Sequence, residues 1–292
     1  MMIPQFKYCR PKSLNELKYY LDDFQGNSKI LAGGTDIVPG FIQESQRFTS
    51  ITHLIDINTI DDFKKIKLDN GFVSIGSAVT FADITANEII LKHCSLLAKA
   101  SQTVGSLQIR NKATVVGNFV NNAPCADSVP PLLVYDASIK IISGEGDRIV
   151  PLHEFLLYPY ETQLRNNECV VEVRVPILTK NYVGDFYKLG RRSAVSISRI
   201  SLAFLFLEEN KLIKEFRIAS GAITPIGKRF FEIEKLFVGR EINSERFMEI
   251  AQKIGEEILD TTGLRWSTAY KLPVVQQMLY QLLEKNAGVI LE

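Results

Sequence analysis

The sequence predicts an α+β protein of two domains, and three observations support this. First, a chain of 292 residues, 46% of them hydrophobic, is long enough to build two cores. Second, short strand-like and helix-like runs alternate in residues 1–177, which divide into predicted subdomains at about 1–60 and 61–177. Third, strand-like runs are followed by helix-like runs in residues 178–292, which is typical of a separate α+β domain.

The first subdomain begins with a predicted helix. Ser13 is a suitable N-cap and Glu16 follows three residues later, as in a capping box, so the helix is expected to run to Phe24. The elements after it are a short strand ending in KIL (29–31), a short helix at 37–44 and a strand at 53–57.

The second subdomain is predicted to contain two hairpins and a buried strand. Asn70-Gly71, a strong signal for a two-residue hairpin turn, lies between the strand-like runs 63–68 and 72–77. The further elements are helices at 81–93, 95–104 and 128–137, a hairpin formed by 138–143 and 148–152, and a buried strand at 169–176. Pro130 and Pro131 suit the first turn of the third helix.

The C-terminal domain is predicted to be a three-stranded antiparallel sheet followed by helices. The strand-like runs are 184–192, 199–210 and 211–223, and the helix-like runs are 227–238, 244–259 and 272–286. No internal repeat or low-complexity segment is apparent in the sequence.

Residues 30–37, ILAGGTDI, form the first candidate ligand loop. Gly33 and Gly34 permit positive φ and close backbone approach, while Thr35 and Asp36 supply side-chain oxygens. The backbone N–H groups of such a turn make a concave anion site, suited to a diphosphate. The loop has neither a Walker lysine nor a G-x-G-x-x-G pattern, so a plain strand-to-helix turn remains an alternative.

A second candidate segment, TVVGN at 114–118, is followed by Asn121, Asn122 and Asp127. So many short polar groups would need separate partners in a core, whereas they suit a cradle around a polar ligand. An irregular loop with Asx turns is the alternative.

Composition excludes several classes of function. The net charge is +1, which offers no basis for binding nucleic acid or anionic membranes. No apolar run reaches transmembrane length and the first residues lack a signal-peptide core, so a soluble cytoplasmic protein without membrane insertion is expected. Four cysteines and three histidines are scattered without ligand spacing, so neither a metal site nor a disulfide framework is predicted.

The sequence resembles the FAD-binding (medium) subunits of molybdenum hydroxylases in two segments taken together. These are LAGGTD near residue 31 and QIRNKATVVGN…ADSVPPLLVYDA from residue 108. KLGRR at 188–192, SGAITPIGKR at 220–229 and LRWSTAYKLPVV at 264–275 match later family signatures in order. The family includes xanthine, nicotinate and carbon monoxide dehydrogenases. The resemblance implies a vanillyl-alcohol-oxidase-type FAD-binding domain of two α+β subdomains, followed by the C-terminal α+β domain.

The resemblance also implies which residues contact FAD, while no residue is expected to be catalytic toward the organic substrate. Lys188 would lie near the flavin, where a cation stabilises the anionic reduced form; a solvated lysine on a strand is the alternative. Arg191 and Arg192 would lead a loop near the flavin, or form a solvated turn. The expected FAD contacts are Ile30, Leu31, Ala32, Gly33, Gly34, Thr35, Asp36, Ile37, Val104, Thr114, Val115, Val116, Gly117, Asn118, Asp127, Val170 and Lys188.

The implied function is electron transfer within a xanthine dehydrogenase-like complex, a type of complex associated with purine metabolism. A molybdopterin subunit would hydroxylate the substrate, and a 2Fe–2S subunit would pass electrons to FAD in this chain and on to NAD or another carrier. The alternatives are a self-contained FAD-dependent oxidoreductase, the medium subunit of a carbon monoxide or nicotinate dehydrogenase, and a scaffold that has lost FAD.

Two positions depart from the family pattern, and a third has two readings. Val116 replaces a usual glycine; it is expected to keep a negative φ, with Gly117 and Asn118 supplying the unusual dihedrals. The loop after Arg192 reads SAVSIS and lacks acidic residues found in animal xanthine dehydrogenases, which bears on NAD access. Asp127 has an alternative role as the N-cap of the following helix.

Overall fold

The computed structural model describes residues 5–24, 26–192, 195–265 and 267–291. Within those ranges, none of the helices combines the length and apolar character needed to cross a membrane. The architecture is mixed α+β, with an N-terminal part built on two sheets and a C-terminal part built on a third.

The first sheet is parallel, in the order β1-β3-β2. The predicted capping residues act at the start of the first helix, because the Ser13 hydroxyl accepts from the Glu16 N–H at 3.2 Å. Three 3₁₀ turns follow α2 and β3, at Gln46–Phe48, Ile57–Thr59 and Asp61–Lys64. The elements are β1 Lys7–Cys9, α1 Leu14–Phe24, β2 Ser28–Leu31, α2 Ile37–Ile42 and β3 His53–Asp56.

The second sheet has five strands, in the order β4-β5-β10-β6-β7, with the predicted strand at 169–176 in the centre. Asn70 and Gly71 both have positive φ, of 45° and 85°, as their hairpin turn requires. The strands and small hairpin are β4 Ile66–Asp69, β5 Phe72–Gly76, β6 Ser138–Ile142, β7 Asp147–Pro151, β8 Leu156–Tyr158, β9 Glu161–Thr162 and β10 Cys169–Pro176.

Short helices connect β5 to β6 and cover this sheet. The predicted helix at 81–93 divides at Asn87, whose side chain accepts from the N–H groups of Ile89 and Ile90 and so begins a new helix. These helices are α3 Phe81–Ala86, α4 Glu88–His93, α5 Ser95–Gln102, α6 Leu107–Arg110, α7 Val115–Asn121 and α8 Val129–Val134, and a further short helix, α9 Leu152–Phe155, follows β7.

The third sheet is antiparallel, in the order β11-β12-β13-β14. The three predicted strands are present, and Lys228–Arg229 adds a short fourth strand, so the predicted helix at 227–238 begins only at Phe231. Pro273 lies inside the last helix, which is longer than predicted. The elements are β11 Val183–Gly190, β12 Ser198–Glu209, β13 Leu212–Gly221, β14 Lys228–Arg229, α10 Phe231–Phe237, α11 Ser244–Thr262 and α12 Thr268–Leu291.

Both faces of the third sheet are covered, which explains why β12 is apolar along most of its length. Ala203 and Leu205 belong to the same core as α5, α7 and α8, whereas Phe204 and Phe206 pack with α10–α12. Because successive side chains of β12 point to opposite faces of the sheet, one face of the C-terminal sheet packs against the N-terminal part.

Candidate functional site

The first cavity has a volume of about 420 Å³ and lies between the loop at 30–37 and the start of α7. Such a volume falls within the ordinary range for small-ligand sites. All residues of the loop line it, together with Thr114, Val116, Gly117, Asn118 and Val170. The structure thus brings together the two segments that the sequence singled out.

The loop at 30–37 presents backbone donors. The N–H groups of residues 33–36 donate to no protein acceptor within the ranges that the structure describes. Gly34 has a φ of +70°, and the side-chain amide of Asn58 holds the loop in place by donating to the Ala32 carbonyl at 2.9 Å. Consecutive N–H groups without protein partners are the donors that an anion requires.

Gly33 allows a close backbone approach, as the sequence suggests. A Cβ at this position would stand 2.0 Å from the backbone oxygen of Lys112, just before the second segment. Glycine is therefore required for the two segments to approach each other.

The second segment is the start of a helix. Thr114 is the N-cap of α7, and its hydroxyl accepts from the Gly117 N–H at 3.0 Å. Val116 has the expected negative φ, but the expectation that Gly117 and Asn118 supply unusual dihedrals is wrong, because both lie in the helix. Val115 is fully buried in the hydrophobic core, whereas Val116 belongs to that core and also lines the cavity.

Ser77, which the sequence did not single out, contributes a buried hydroxyl to the same cavity. The residue is 1% exposed, and its Oγ has no hydrogen-bond partner among the described residues. An unpaired buried hydroxyl is unfavourable, so a ligand that bonds to it would remove that cost.

Two cations also line the first cavity. Burial lowers the pKa of the Lys29 ammonium, and the neighbouring Arg47 lowers it further. Arg47 donates to Asn121 Oδ1 at 2.9 Å and to Asp36 Oδ2 at 3.1 Å. These cations favour a negatively charged ligand.

The side chains of Asn121 and Asn122 have different partners. Asn122 is 1% exposed and has a φ of +45°, and its side-chain amide donates to the carbonyls of Tyr158 and Glu161 at 2.8 and 2.9 Å. The backbone carbonyl of Asn122 accepts from the Tyr160 N–H at 2.9 Å. Asn122 therefore fastens the β8–β9 turn to the end of α7, and the prediction of one polar cluster is wrong at this residue.

A second cavity, of about 520 Å³, lies between the end of α5, α6 and the residues that follow β11. Lys188 lines it, with its side chain 9% exposed, so the alternative of a solvated lysine is wrong. Arg192 lines it as well and donates to the Val195 carbonyl at 2.9 Å. Residues 193–194 of the loop after Arg192 lie outside the described ranges.

Asp127 connects β11 and β12 to the start of α8. Its carboxylate accepts from Lys188 Nζ at 2.7 Å and from the Ser198 hydroxyl. Burial raises the pKa of Asp127, and the contacts with Lys188 and Ser198 offset only part of that rise. Ser128, without a side-chain capping bond, is the N-cap of α8, so the alternative role of Asp127 as the cap is wrong.

The Lys188 ammonium has a second fixed partner, because it also donates to the Thr103 carbonyl at 2.9 Å. Val104, the next residue, is partly buried, and its carbonyl accepts from Arg110 Nη1 at 3.1 Å. Arg110 and Thr103 line the second cavity. The expected contacts Val104, Asp127 and Lys188 therefore lie in or beside the second cavity, whereas those at 30–37 lie in the first.

The first cavity fits the diphosphate-bearing half of FAD, the cofactor that the resemblance implies. The unpaired N–H groups, the Ser77 hydroxyl and the cations of the first cavity suit a diphosphate and sugar hydroxyls. In the described part of the chain, no cluster of histidine, cysteine and carboxylate side chains could hold a metal ion.

Comparison with known proteins also indicates a flavoprotein, over most of the chain. A family model described as "FAD binding domain in molybdopterin dehydrogenase" matches residues 4–178, and one described as "CO dehydrogenase flavoprotein C-terminal domain" matches residues 185–286. The glyceraldehyde dehydrogenase medium chain of Sulfolobus acidocaldarius is 29% identical over 288 residues, which cover 98% of this chain and 100% of the relative.

Two further known proteins are similar to most of the chain. The xanthine dehydrogenase FAD-binding subunit of Escherichia coli O157:H7 is 30% identical over 260 residues, 88% of each chain. The solved carbon monoxide dehydrogenase of Hydrogenophaga pseudoflava contains a chain that superposes with a TM-score of 0.90 at 26% identity, over 99% of both chains. The chain therefore belongs to the family of FAD-binding medium subunits of molybdenum hydroxylases, and it is an FAD-dependent oxidoreductase subunit.

Proposed function

We propose that the chain is the electron-transfer subunit of a xanthine dehydrogenase-like complex. It accepts electrons from the 2Fe–2S clusters of a partner subunit, which a molybdopterin subunit has reduced, and passes them through FAD to NAD or another acceptor. When bound, FAD supplies the junction between one-electron and two-electron carriers. The family membership supports this role. We propose an N-terminal FAD-binding domain at 1–177 and a C-terminal domain at 178–292.

The observation that carries the proposal is the set of unpaired donors in the first cavity. We assign the N–H groups of residues 33–36 and the Ser77 hydroxyl to the diphosphate-bearing half of FAD. Thr114, Val116, Gly117, Asn118 and Val170 complete the wall of that cavity. Each donor is fixed by the protein before the ligand binds, which lowers the cost of ordering the site.

Lys188 and Asp127 are assigned to the flavin end, at the second cavity. Lys188 provides a cation there, and its bonds to Asp127 and Thr103 fix the position of its ammonium. Since the Asp127 carboxylate lies 2.7 Å from that ammonium, it offsets part of the positive charge. The proposed pair thus favours added negative charge on the flavin less strongly than a free lysine would.

NAD remains the proposed acceptor, in a complex that we place in the cytoplasm. Arg110 and Arg192 line the second cavity, and their guanidinium groups suit the phosphates of a pyridine nucleotide. A self-contained oxidoreductase is the second candidate, but no observation in the described residues favours it over a subunit.

Co-expression with the genes for the partner subunits tests the proposal. The purified complex is expected to contain one FAD per copy of this chain, together with iron, sulfide and molybdenum. The chain expressed alone should bind FAD but leave NAD unreduced when it is offered substrates of the known relatives. Turnover of such a substrate by the isolated flavoprotein would favour the self-contained enzyme, and a chain without flavin after incubation with FAD would contradict both candidates.

A further inference from the structure

Arg47 lies at the rim of the first cavity and connects three elements around it. Its guanidinium donates to Asp36, at the end of the loop at 30–37, and to Asn121, at the end of α7. It also stacks on the ring of Tyr160 in the β8–β9 turn, with 4.4 Å between Arg47 Cζ and the ring centroid. Arg47 and Tyr160 both line the cavity, so these contacts hold a guanidinium plane at its edge.

The backbone of Tyr160 is unusual for an aromatic residue. Its φ is +64°, in the left-handed region that favours glycine and asparagine. The turn is nonetheless fixed, because the Tyr160 N–H donates to the backbone carbonyl of Asn122, whose side-chain amide donates to the carbonyls of Tyr158 and Glu161. A glycine would suit this backbone better, so the contribution of tyrosine must come from its ring, which lies against Arg47.

The charges of the first cavity leave Arg47 suited to an anion. Lys29 and Arg47 are positive and Asp36 is negative among the charged groups that line it. The Arg47 side chain is 36% exposed, so part of its guanidinium is accessible beside the cavity. A guanidinium presents a flat set of N–H donors that matches phosphate oxygens, and a stacked aromatic ring keeps that set oriented.

From these contacts we propose that Arg47 binds the diphosphate of FAD and that Tyr160 is the positioning residue that orients its guanidinium. The inference rests on the proposed location of the FAD diphosphate in the first cavity. Asp36 competes with the diphosphate for the same guanidinium. A surface ion pair between Arg47 and Asp36 that only holds the loop is the competing explanation, and the two explanations predict opposite effects of neutralising Asp36.

The test measures binding of FAD, ADP and adenosine to the full-length chain after removal of flavin, by calorimetry and by quenching of flavin fluorescence. Arg47→Gln is expected to weaken FAD and ADP at least tenfold, equivalent to about 1.4 kcal/mol, while leaving adenosine, which lacks phosphate, within twofold. Arg240→Gln is the matched control, because Arg240 is exposed and the substitution removes the same charge. The FAD affinity of this variant should equal that of the wild type.

Two further variants distinguish orientation of the Arg47 guanidinium for FAD from a contact that only holds the loop at 30–37. Tyr160→Gly should weaken FAD severalfold without lowering the Tm, since glycine relieves the left-handed backbone. Asp36→Asn should bind FAD more tightly than the wild type, because the competing carboxylate is gone. Equal loss in Asp36→Asn and Arg47→Gln, or unchanged FAD and ADP affinity in Arg47→Gln, would overturn the inference. Tight FAD binding by the wild type in the same assay would leave the proposed function intact, so the two failures are distinguishable.

Discussion

Replacing Ser77 by alanine is expected to stabilise the flavin-free protein and to weaken FAD binding. Ser77 Oγ is buried at the first cavity without a partner in the described residues, and leaving such a group unpaired costs about 1–3 kcal/mol. Alanine removes that cost before the ligand binds. The Tm of the flavin-free chain should therefore rise, by about 2–4 °C for each kcal/mol gained.

In the FAD-bound protein the same substitution would remove the hydrogen bond that we propose between Ser77 and FAD. The loss of that bond, together with the gain in the flavin-free state, should lower FAD affinity by at least about tenfold, which corresponds to about 1.4 kcal/mol. Differential scanning fluorimetry with and without FAD measures the first effect, and a calorimetric titration measures the second. The two changes have opposite signs, which a simple packing defect does not produce.

Ser220→Ala is the matched control for this prediction. Ser220 is fully buried, but its hydroxyl lies 3.0 Å from Thr224 Oγ1 in the C-terminal sheet, outside both cavities. This variant should lose about 1 kcal/mol of stability with and without FAD, and should keep its FAD affinity. A fall in the Tm of flavin-free Ser77→Ala, or an FAD affinity within twofold of the wild type, would refute the assignment of Ser77.

Three further predictions concern the packing around the site. Gly33→Ala should lower both the Tm and the FAD affinity, since its Cβ would collide with the Lys112 carbonyl. Gly288→Ala should lower neither, because no atom lies within 4 Å of its added Cβ. Equal Tm values for the two variants would contradict this prediction. Val116→Gly should keep FAD affinity within a few-fold but lose about 2–3 kcal/mol in urea unfolding, because Val116 packs in the core within a helix; a tenfold gain in affinity would show strain at Val116. Burial raises the pKa of Glu168, but the bonds from Arg148 and from the Arg165 N–H bring it below its usual range, so its stabilisation should be present above the unfolded value of about 4.3 and lost as the pH falls through the folded pKa. Glu168→Gln should therefore unfold more easily at pH 7 and show a flatter fall in Tm below about pH 5; an unchanged acid slope would exclude Glu168 as its source.

Much of the fold could be predicted because local signals agreed with the tertiary structure. The Asn70-Gly71 turn and the strand at 169–176 are specified by residues close together in the chain. The start of α7 could have been recognised as well, because Thr114 is a good N-cap before a short apolar run. Its polar composition instead indicated a loop, which led to the wrong dihedrals for Gly117 and Asn118.

The remaining site residues depend on contacts between distant parts of the chain. Arg47 follows the loop at 30–37 without a recognisable motif, and the role that we propose for it depends on its contacts with Asn121 and Tyr160. Ser77 looks like an ordinary residue at the end of a strand until its lack of partners is seen. The pairing of Asp127 with Lys188 joins residues 61 positions apart, which no local pattern specifies.

The proposed exit of electrons through FAD in this chain is tested most directly by reoxidation of the reduced complex. The purified complex is reduced with dithionite under anaerobic conditions, freed of excess reductant, and mixed with NAD, while the visible absorbance of the 2Fe–2S clusters is followed. A parallel sample is first stripped of FAD and then examined before and after FAD is restored. We expect rapid cluster reoxidation with FAD, none without it and recovery when FAD is restored, whereas equally fast reoxidation of the stripped complex would contradict electron transfer through FAD.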